Sequence, residues 1–145
     1  GEGDKRLVEC LSSRLKNTAH IFRHEDAHIL KSFIGKSELL IGARFHSIVG
    51  ALSQGIPVLA MSWAHKYQEL LKDFGVSDSL IQNNTTDEEF LEKIHVLLNP
   101  SESTAIRARL IAEKERQTAT NSKMWKQVRA QLFDGRLSDS LTTQF

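Results

Sequence analysis

An α/β fold with a parallel sheet is the architecture that the sequence predicts. Short apolar runs of strand length, at 38–42 and 57–61, alternate with segments of helical periodicity. Gly35, Gly55 and Gly75 each follow such a segment and are placed to end a helix. Right-handed crossovers between parallel strands put helices on both faces of the sheet. We therefore predict a Rossmann-like domain.

The N-terminal part is predicted to hold two helices with a short strand between them. Apolar residues recur at helical spacing after Asp4, which is a fair N-cap. Residues 19–22 are compatible with a strand, and a helix over 26–34 follows. The side chains that this second helix is predicted to bury are Ile29, Leu30 and Phe33.

The central part is predicted to contain the sheet. Residues 38–42 form a nearly continuous apolar run, which is typical of a strand covered on both faces. Pro57 cannot continue the helix before it and begins a second strand. The predicted elements, in chain order, are a strand at 38–42, a helix at 45–54, a strand at 57–61, a helix at 65–74, a short strand at 80–81 and a helix at 87–98.

The C-terminal part is predicted to be helical and to end in a tail. Pro100 begins a polar helix on which Arg107 and Arg109 indicate a solvated face. After a stretch rich in Thr and Asn, a second amphipathic helix is predicted around Trp125, whose apolar stripe packs either in the core or against another domain. We assign residues 1–133 to one domain and 134–145 to a flexible tail.

Composition excludes several classes of protein. The 145 residues suit one domain, and 19 Lys and Arg against 18 Asp and Glu leave a formal charge of +1. Nucleic acid is therefore not an expected partner. The single cysteine, Cys10, excludes an internal disulfide and a cysteine-rich zinc site. No apolar run approaches a transmembrane length and no signal peptide is recognisable, so we expect a cytoplasmic domain.

The loop at 42–47 is the best candidate for a binding site. Open parallel sheets bind ligands at the carboxyl ends of their strands, where loops lead into helices. Gly42 permits a tight turn, and the unpaired N–H groups in the first turn of the following helix, together with its positive end, favour an anion. Arg44 offers a planar donor fork, and His46 leaves the predicted core stripe. The alternative is a solvated Arg44 and a His46 that donates to a carbonyl.

A family resemblance rests on four short segments. They read I-G-A-R-F-H-S at 41–47, A-L-S-Q-G-I-P at 51–57, S-W-x-x-K-Y at 62–67 and F-G-V at 74–76. In these segments the chain resembles the polysaccharide pyruvyl transferase family. The resemblance is strongest over 37–78 and extends more weakly to Asp4 and Leu98.

The resemblance implies the C-terminal half of a two-domain enzyme similar to GT-B glycosyltransferases, with its site in the cleft between the domains. Members transfer the pyruvyl group of phosphoenolpyruvate to a sugar as a ketal. By this resemblance His46 would be the catalytic acid or base, and Gly42, Arg44, Ser47 and Lys66 would bind the donor. Neither cofactor nor metal is implied. The enzyme would work in the cytoplasm, at the inner membrane face where the saccharide acceptor is lipid-linked, and would need its N-terminal domain for turnover.

Alternatives remain for individual residues. Lys66 lies in a second carboxyl-end loop, where it meets a phosphate or is simply solvated. Trp63 and Tyr67 stack on a sugar or pack in the core or a domain interface.

Other functions remain open as well. The same half-domain suits a nucleotide-sugar-binding GT-B glycosyltransferase, a sugar epimerase or a scaffold without catalysis. No G-x-G-x-x-G or P-loop is present, which argues against enzymes of dinucleotides and nucleoside triphosphates. His24, Glu25 and His28 spell H-E-x-x-H, the zinc metalloprotease pattern, which requires one continuous helix.

Overall fold

A computed structural model of the chain describes residues 2–14, 20–62 and 64–141. The chain divides into two compact units, Gly1–Phe33 and Ile34–Phe145.

The first unit contains helix α1, Glu2–Arg14, and most of helix α2, Ala27–Ile34. The prediction of Asp4 as an N-cap is wrong, because α1 already includes it. In the other helix of this unit, α2, Asp26 is the N-cap residue: its Oδ1 accepts a 2.7 Å hydrogen bond from the backbone N–H of His28. The predicted strand at 19–22 is wrong for residues 20–22, which form no strand; residue 19 lies outside the described residues.

Aromatic side chains of the first unit remain exposed. Phe22 stacks on Phe33 with 4.3 Å between the ring centroids, yet Phe33 is 52% exposed. Ile29 is also exposed, so the prediction that α2 buries Ile29 and Phe33 is wrong, while Leu30 is half-buried. Helical periodicity marks an apolar stripe correctly but does not say whether anything covers it.

The second unit is built on a parallel three-stranded sheet in the order β1-β2-β3, which confirms the predicted α/β class. In register, Leu40 pairs with Val58 and Ala60 with Leu80. The elements are β1 Leu40–Gly42, α3 Phe45–Leu52, β2 Val58–Met61, α4 His65–Asp73, a short 3₁₀ helix Ser77–Ser79, β3 Leu80–Ile81, α5 Asp87–Leu98 and α6 Pro100–Leu141.

The central strand β2 is the centre of the core. Val58, Leu59 and Ala60 are all buried, and because successive side chains point to opposite faces, both faces of β2 are covered. The edge strand β1 differs, since Ile41 is exposed, so the prediction that β1 is covered on both faces is wrong. The buried side chains packed around β2 include Ile48, Leu52, Tyr67, Leu71, Phe74 and Leu110.

Two glycines end α3 and α4 as predicted. Gly55 has φ 73° and Gly75 has φ 67°, a left-handed conformation that side chains resist. At α3 the N–H of Ile56 donates to Ala51 O and the N–H of Gly55 donates to Leu52 O, both at 3.0 Å. This Schellman pattern satisfies carbonyls at the helix end and directs the chain into β2.

The sequence also sets the N-termini of α5 and α6. Thr86 and Glu89 form a capping box, in which Thr86 Oγ1 accepts from the Glu89 N–H at 3.2 Å and Glu89 Oε2 accepts from the Thr86 N–H at 2.9 Å. Asn99 Oδ1 accepts from the Ser101 N–H at 3.1 Å, and Pro100 occupies the first helical position.

Helix α6 is continuous from Pro100 to Leu141, so the predicted break between two helices is wrong. Thr118 and Thr120 do not interrupt it, because their hydroxyls donate to backbone carbonyls one turn earlier, at 2.8 and 3.0 Å. The backbone remains helical over 134–141; the flexibility of the tail at 134–145 and the domain boundary at 133 stay predictions.

The first half of α6 is anchored to the sheet region. Arg107 donates from Nη2 to Ser37 O at 3.2 Å and to Glu38 O at 2.9 Å, just before β1. Arg109 donates from Nη1 to Gly75 O at 3.2 Å. The predicted solvated face is therefore wrong for Arg107, which is half-buried, whereas Arg109 stays exposed as predicted although it also binds the carbonyl of a distant loop.

Candidate functional site

The loop at 42–47 follows β1 and begins α3. Arg44 is the N-cap residue, with φ −94° and ψ 119°, and its carbonyl accepts from the N–H groups of Ser47 at 3.0 Å and Ile48 at 3.1 Å. The first N–H groups of a helix have no partner within the helix, and this end carries partial positive charge. The loop thus joins a strand end, a helix N-terminus and an arginine, as predicted.

Tyr67 of α4 fixes the shape of this loop. Its hydroxyl donates to Ala43 O at 2.8 Å, and its ring meets the Phe45 ring edge-on with 5.4 Å between the centroids. Tyr67 is buried in the core cluster. Of the two alternatives for this residue, stacking on a sugar or packing in the core, its burial corresponds to the second. The tyrosine therefore couples the start of α4 to the loop that carries Arg44 and His46.

Lys66 brings a cation to the same loop. Its Nζ lies 5.0 Å from the centroid of the Phe45 ring and 5.5 Å from that of Tyr67, within the range of a cation–π interaction. The prediction that Lys66 lies in a loop is wrong, because it belongs to the first turn of α4, but its side chain does reach the start of α3 at Phe45. Trp63, the remaining predicted contact residue, lies outside the described residues.

Arg44 and His46 both have exposed side chains. The His46 ring meets the Phe45 ring nearly at right angles, with 6.1 Å between the centroids. A Cβ added to Gly42, or to Gly50 one turn beyond His46, would meet no atom within 4 Å. Open space next to both glycines leaves room for a small ligand beside the arginine and the imidazole.

The H-E-x-x-H pattern does not lie on one helix. His24 precedes α2, and its Nδ1 accepts from the Asp26 N–H at 2.9 Å, whereas His28 lies within α2. Zincin chemistry needs both imidazoles on consecutive turns of one helix, so the metalloprotease alternative is wrong. Among the described residues, no cluster of three His, Cys, Asp or Glu side chains is arranged to hold a metal ion.

A cavity of about 540 Å³ lies elsewhere, between β3, α5 and α6, and sequence reasoning missed it. Its lining includes apolar side chains such as Leu59 and Leu97, and Lys93, which also lines it, donates from Nζ to Asp78 O at 2.6 Å. No local motif could have indicated this cavity, because its lining comes from residues as far apart as Leu59 and Arg109. The polar residues that line it include Ser79, Gln82, Thr85, Glu89, Glu92 and Lys93.

One family model matches the first part of the chain. Residues 1–65 match the family model described as polysaccharide pyruvyl transferase, which confirms the family resemblance over that part of the chain. The match includes Gly42, Arg44, His46 and Ser47 and ends just before Lys66. Neither the curated proteins nor the solved structures contain a match. Within the described part of the chain, no helix has the length and apolar character needed to cross a membrane.

Proposed function

We propose that the chain, whose residues 1–65 match the polysaccharide pyruvyl transferase family, supplies the donor-binding half of such an enzyme. The donor is phosphoenolpyruvate, and the acceptor is a sugar of an exopolysaccharide or cell-surface polysaccharide. One observation carries the proposal. The loop at 42–47 lies within the matched residues and presents Arg44 and His46 at a strand end and a helix N-terminus, next to Lys66.

Donor recognition follows from charge. Phosphoenolpyruvate carries a phosphate and a carboxylate, and both are anions that a guanidinium fork or helical N–H groups bind well. Arg44 takes one of these anions, together with the hydroxyl of Ser47 at the start of α3. Lys66 supplies a second cation from the first turn of α4, and Gly42 leaves space where a side chain would obstruct the donor.

Pyruvyl transfer needs an acid at the donor's C3. In the proposed step, His46 gives a proton to C3, which makes C2 electrophilic. A sugar hydroxyl adds at C2 and loses its proton to His46, so the imidazole returns to its starting state. A second hydroxyl of the sugar then displaces phosphate, which leaves with the second hydroxyl proton. The ketal has two C–O bonds to the sugar at C2 and a methyl group from C3, and the cations stabilise the departing phosphate.

The family resemblance also guides the wider setting of the proposal. A second domain completes the cleft and supplies most of the acceptor contacts, so this chain alone binds the donor weakly and does not turn over. The enzyme works in the cytoplasm, at the inner membrane face for a lipid-linked acceptor.

Ligand-observed NMR tests the proposal directly. The chain is titrated with phosphoenolpyruvate and, separately, with a UDP-sugar. We expect saturation transfer to phosphoenolpyruvate that Arg44→Ala removes, because the variant loses the anion-binding fork. His46→Ala should leave donor binding within a few-fold of the original chain, since the imidazole acts on C3 rather than on the anions.

Matched variants distinguish a local site from general charge attraction. Lys72→Ala removes an exposed cation near the other end of α4 and should leave the donor signal unchanged.

Preference for the UDP-sugar would replace the proposal with the glycosyltransferase or epimerase alternative. Donor binding that survives Arg44→Ala would contradict the assigned role of this residue. Transfer of pyruvate to an acceptor by the chain alone would contradict the need for a second domain.

A further inference from the structure

The second half of α6 exposes large apolar side chains. We call residues 118–133 the distal segment; all of its side chains are exposed except Val128, which is half-buried. Trp125 is 63% exposed and Phe133 is 60% exposed. Met124 and Leu132 are also exposed, so most of the segment's apolar area faces solvent. The sequence already indicated an apolar stripe around Trp125, and the proposed function gives this stripe no role.

The apolar residues lie on one side of the helix. Trp125, Val128 and Leu132 are separated by three and four positions, the spacing that aligns side chains along a helix. Met124 and Phe133 extend this stripe on its two sides. The distal segment is thus locally amphipathic, with Trp and Phe as its largest apolar groups.

The charge of the segment has a single sign. Between Glu115 and Asp134 the sequence contains no acidic residue. Lys123, Lys126 and Arg129 are all exposed and recur at every third position. The segment therefore carries three positive charges and no negative one, although the chain as a whole has a formal charge of only +1. Arg129 precedes Phe133 by four positions and Lys126 precedes it by seven, so both lie on the Phe133 side of the apolar stripe. Such charge is complementary to an array of phosphates.

We propose that the distal segment binds the surface of an anionic lipid bilayer. The stripe around Trp125 enters the boundary between headgroups and acyl chains, where tryptophan is favoured, and the cations meet lipid phosphates. Pairing with a second copy fits less well, because it would bring the cations of two segments together with no carboxylate in either segment to offset them. The inference rests on the surface of this helix and does not depend on pyruvyl transfer.

Vesicle binding tests this inference. The chain is mixed with phosphatidylcholine vesicles, with or without 30 mol% phosphatidylglycerol, and bound protein is separated by flotation. We expect binding only to the anionic vesicles, and loss of that binding at high salt. Lys126→Gln with Arg129→Gln should weaken binding about 25-fold, since each cation near an anionic surface contributes about fivefold. Trp125→Ser with Leu132→Ser should abolish binding.

A fluorescence measurement locates the contact. The chain has two tryptophans, so Trp63→Phe leaves Trp125 as the only one, and its emission should shift to shorter wavelength on anionic vesicles. Leu91→Ser, at an exposed leucine of α5, and Lys114→Gln, on the first half of α6, serve as matched controls and should bind like the original chain.

Three results would overturn the inference. They are equal binding to neutral and anionic vesicles, unchanged binding by the Trp125→Ser, Leu132→Ser variant, and absence of binding to either vesicle. A mass in sedimentation that doubles with concentration, and that this variant abolishes without any lipid binding, would assign the stripe to a second copy instead.

Discussion

The two halves of α6 have similar helical structure and opposite surroundings. In the first half, Leu110 is fully buried, and Arg107 and Arg109 donate to carbonyls of distant loops. In the distal segment, Trp125 is more than half exposed. Their charges differ as well. The first half contains charges of both signs: the Arg116 guanidinium is hydrogen-bonded to the Glu113 carboxylate and lowers the pKa of Glu113. The distal segment has no acidic residue. An apolar stripe on a helix is therefore evidence for a partner, but the sequence does not identify that partner.

The largest expected effect in the first half is that of Leu110→Ala. This substitution removes a fully buried side chain from the core cluster and leaves a cavity, so we expect a loss of about 3 kcal/mol in the free energy of unfolding. Urea denaturation followed by circular dichroism measures the change. Met124→Ala, at an exposed position of the same helix, should cost less than about 0.5 kcal/mol. Equal losses for both variants would mean that the two halves do not differ in burial.

Gly55→Ala should cause the next largest loss of stability. The substitution affects the contact between the end of α3 and α6. An alanine would adopt φ 73° against its preference, and its Cβ would lie 2.8 Å from Ile111 Cδ1. We expect a loss of about 2 kcal/mol in thermal or urea unfolding. Gly50→Ala is the matched control: it lies inside α3 with open space around it and should stabilise the chain by up to about 1 kcal/mol. A neutral Gly55→Ala would show that neither the strain nor the contact matters.

Arg107→Ala should have a smaller effect on stability. It removes hydrogen bonds from the carbonyls of Ser37 and Glu38, which solvent can partly replace, so we expect a loss of about 1 kcal/mol. Hydrogen exchange at the Leu40 amide, which donates to Pro57 O, should accelerate if these contacts hold the start of β1. Arg129→Ala in the distal segment is the control and should change neither quantity.

The smallest effect on stability belongs to the double variant Trp125→Ser, Leu132→Ser. Both side chains are mostly exposed, so unfolding in the absence of lipid should change by less than about 0.5 kcal/mol. The same variant is expected to abolish binding to anionic vesicles. Its effects on lipid binding and on the free energy of unfolding are therefore expected to differ. A loss of several kcal/mol without lipid would mean that the stripe packs within the chain.

Several elements could be predicted because their signals are local. The glycines after α3 and α4 and the apolar run of β2 act within a few residues, and the structure confirms all of them. The predicted start of α5 at Asp87 is also confirmed, and the structure shows a capping box there. Predictions that required knowledge of a distant partner were wrong more often. Ile41 lies in an apolar run of strand length and Phe33 fits the apolar stripe of a helix, yet both side chains are exposed.

The candidate site shows the same division. The loop at 42–47 was identifiable because a strand, a glycine, an arginine and a helix start are consecutive in the chain. The bond between Tyr67 and Ala43 spans 24 positions, and no local pattern predicts which carbonyl the hydroxyl meets. The position of Lys66 over the Phe45 ring depends on the packing of α4 against this loop.

The sequence by itself determined where most helices and strands begin and end, the α/β class and the residues of the loop at 42–47. Capping, left-handed glycines and apolar periodicity are local constraints, and their free energies arise within one or two helical turns. Only the tertiary structure decided that β1 is open on one face and that Arg107 binds carbonyls some 70 positions earlier. It also decided that α6 packs into the core at Leu110, while the side chains of residues 118–133 are exposed apart from the half-buried Val128. Burial depends on which surfaces meet, and that choice arises from contacts between residues far apart in the chain.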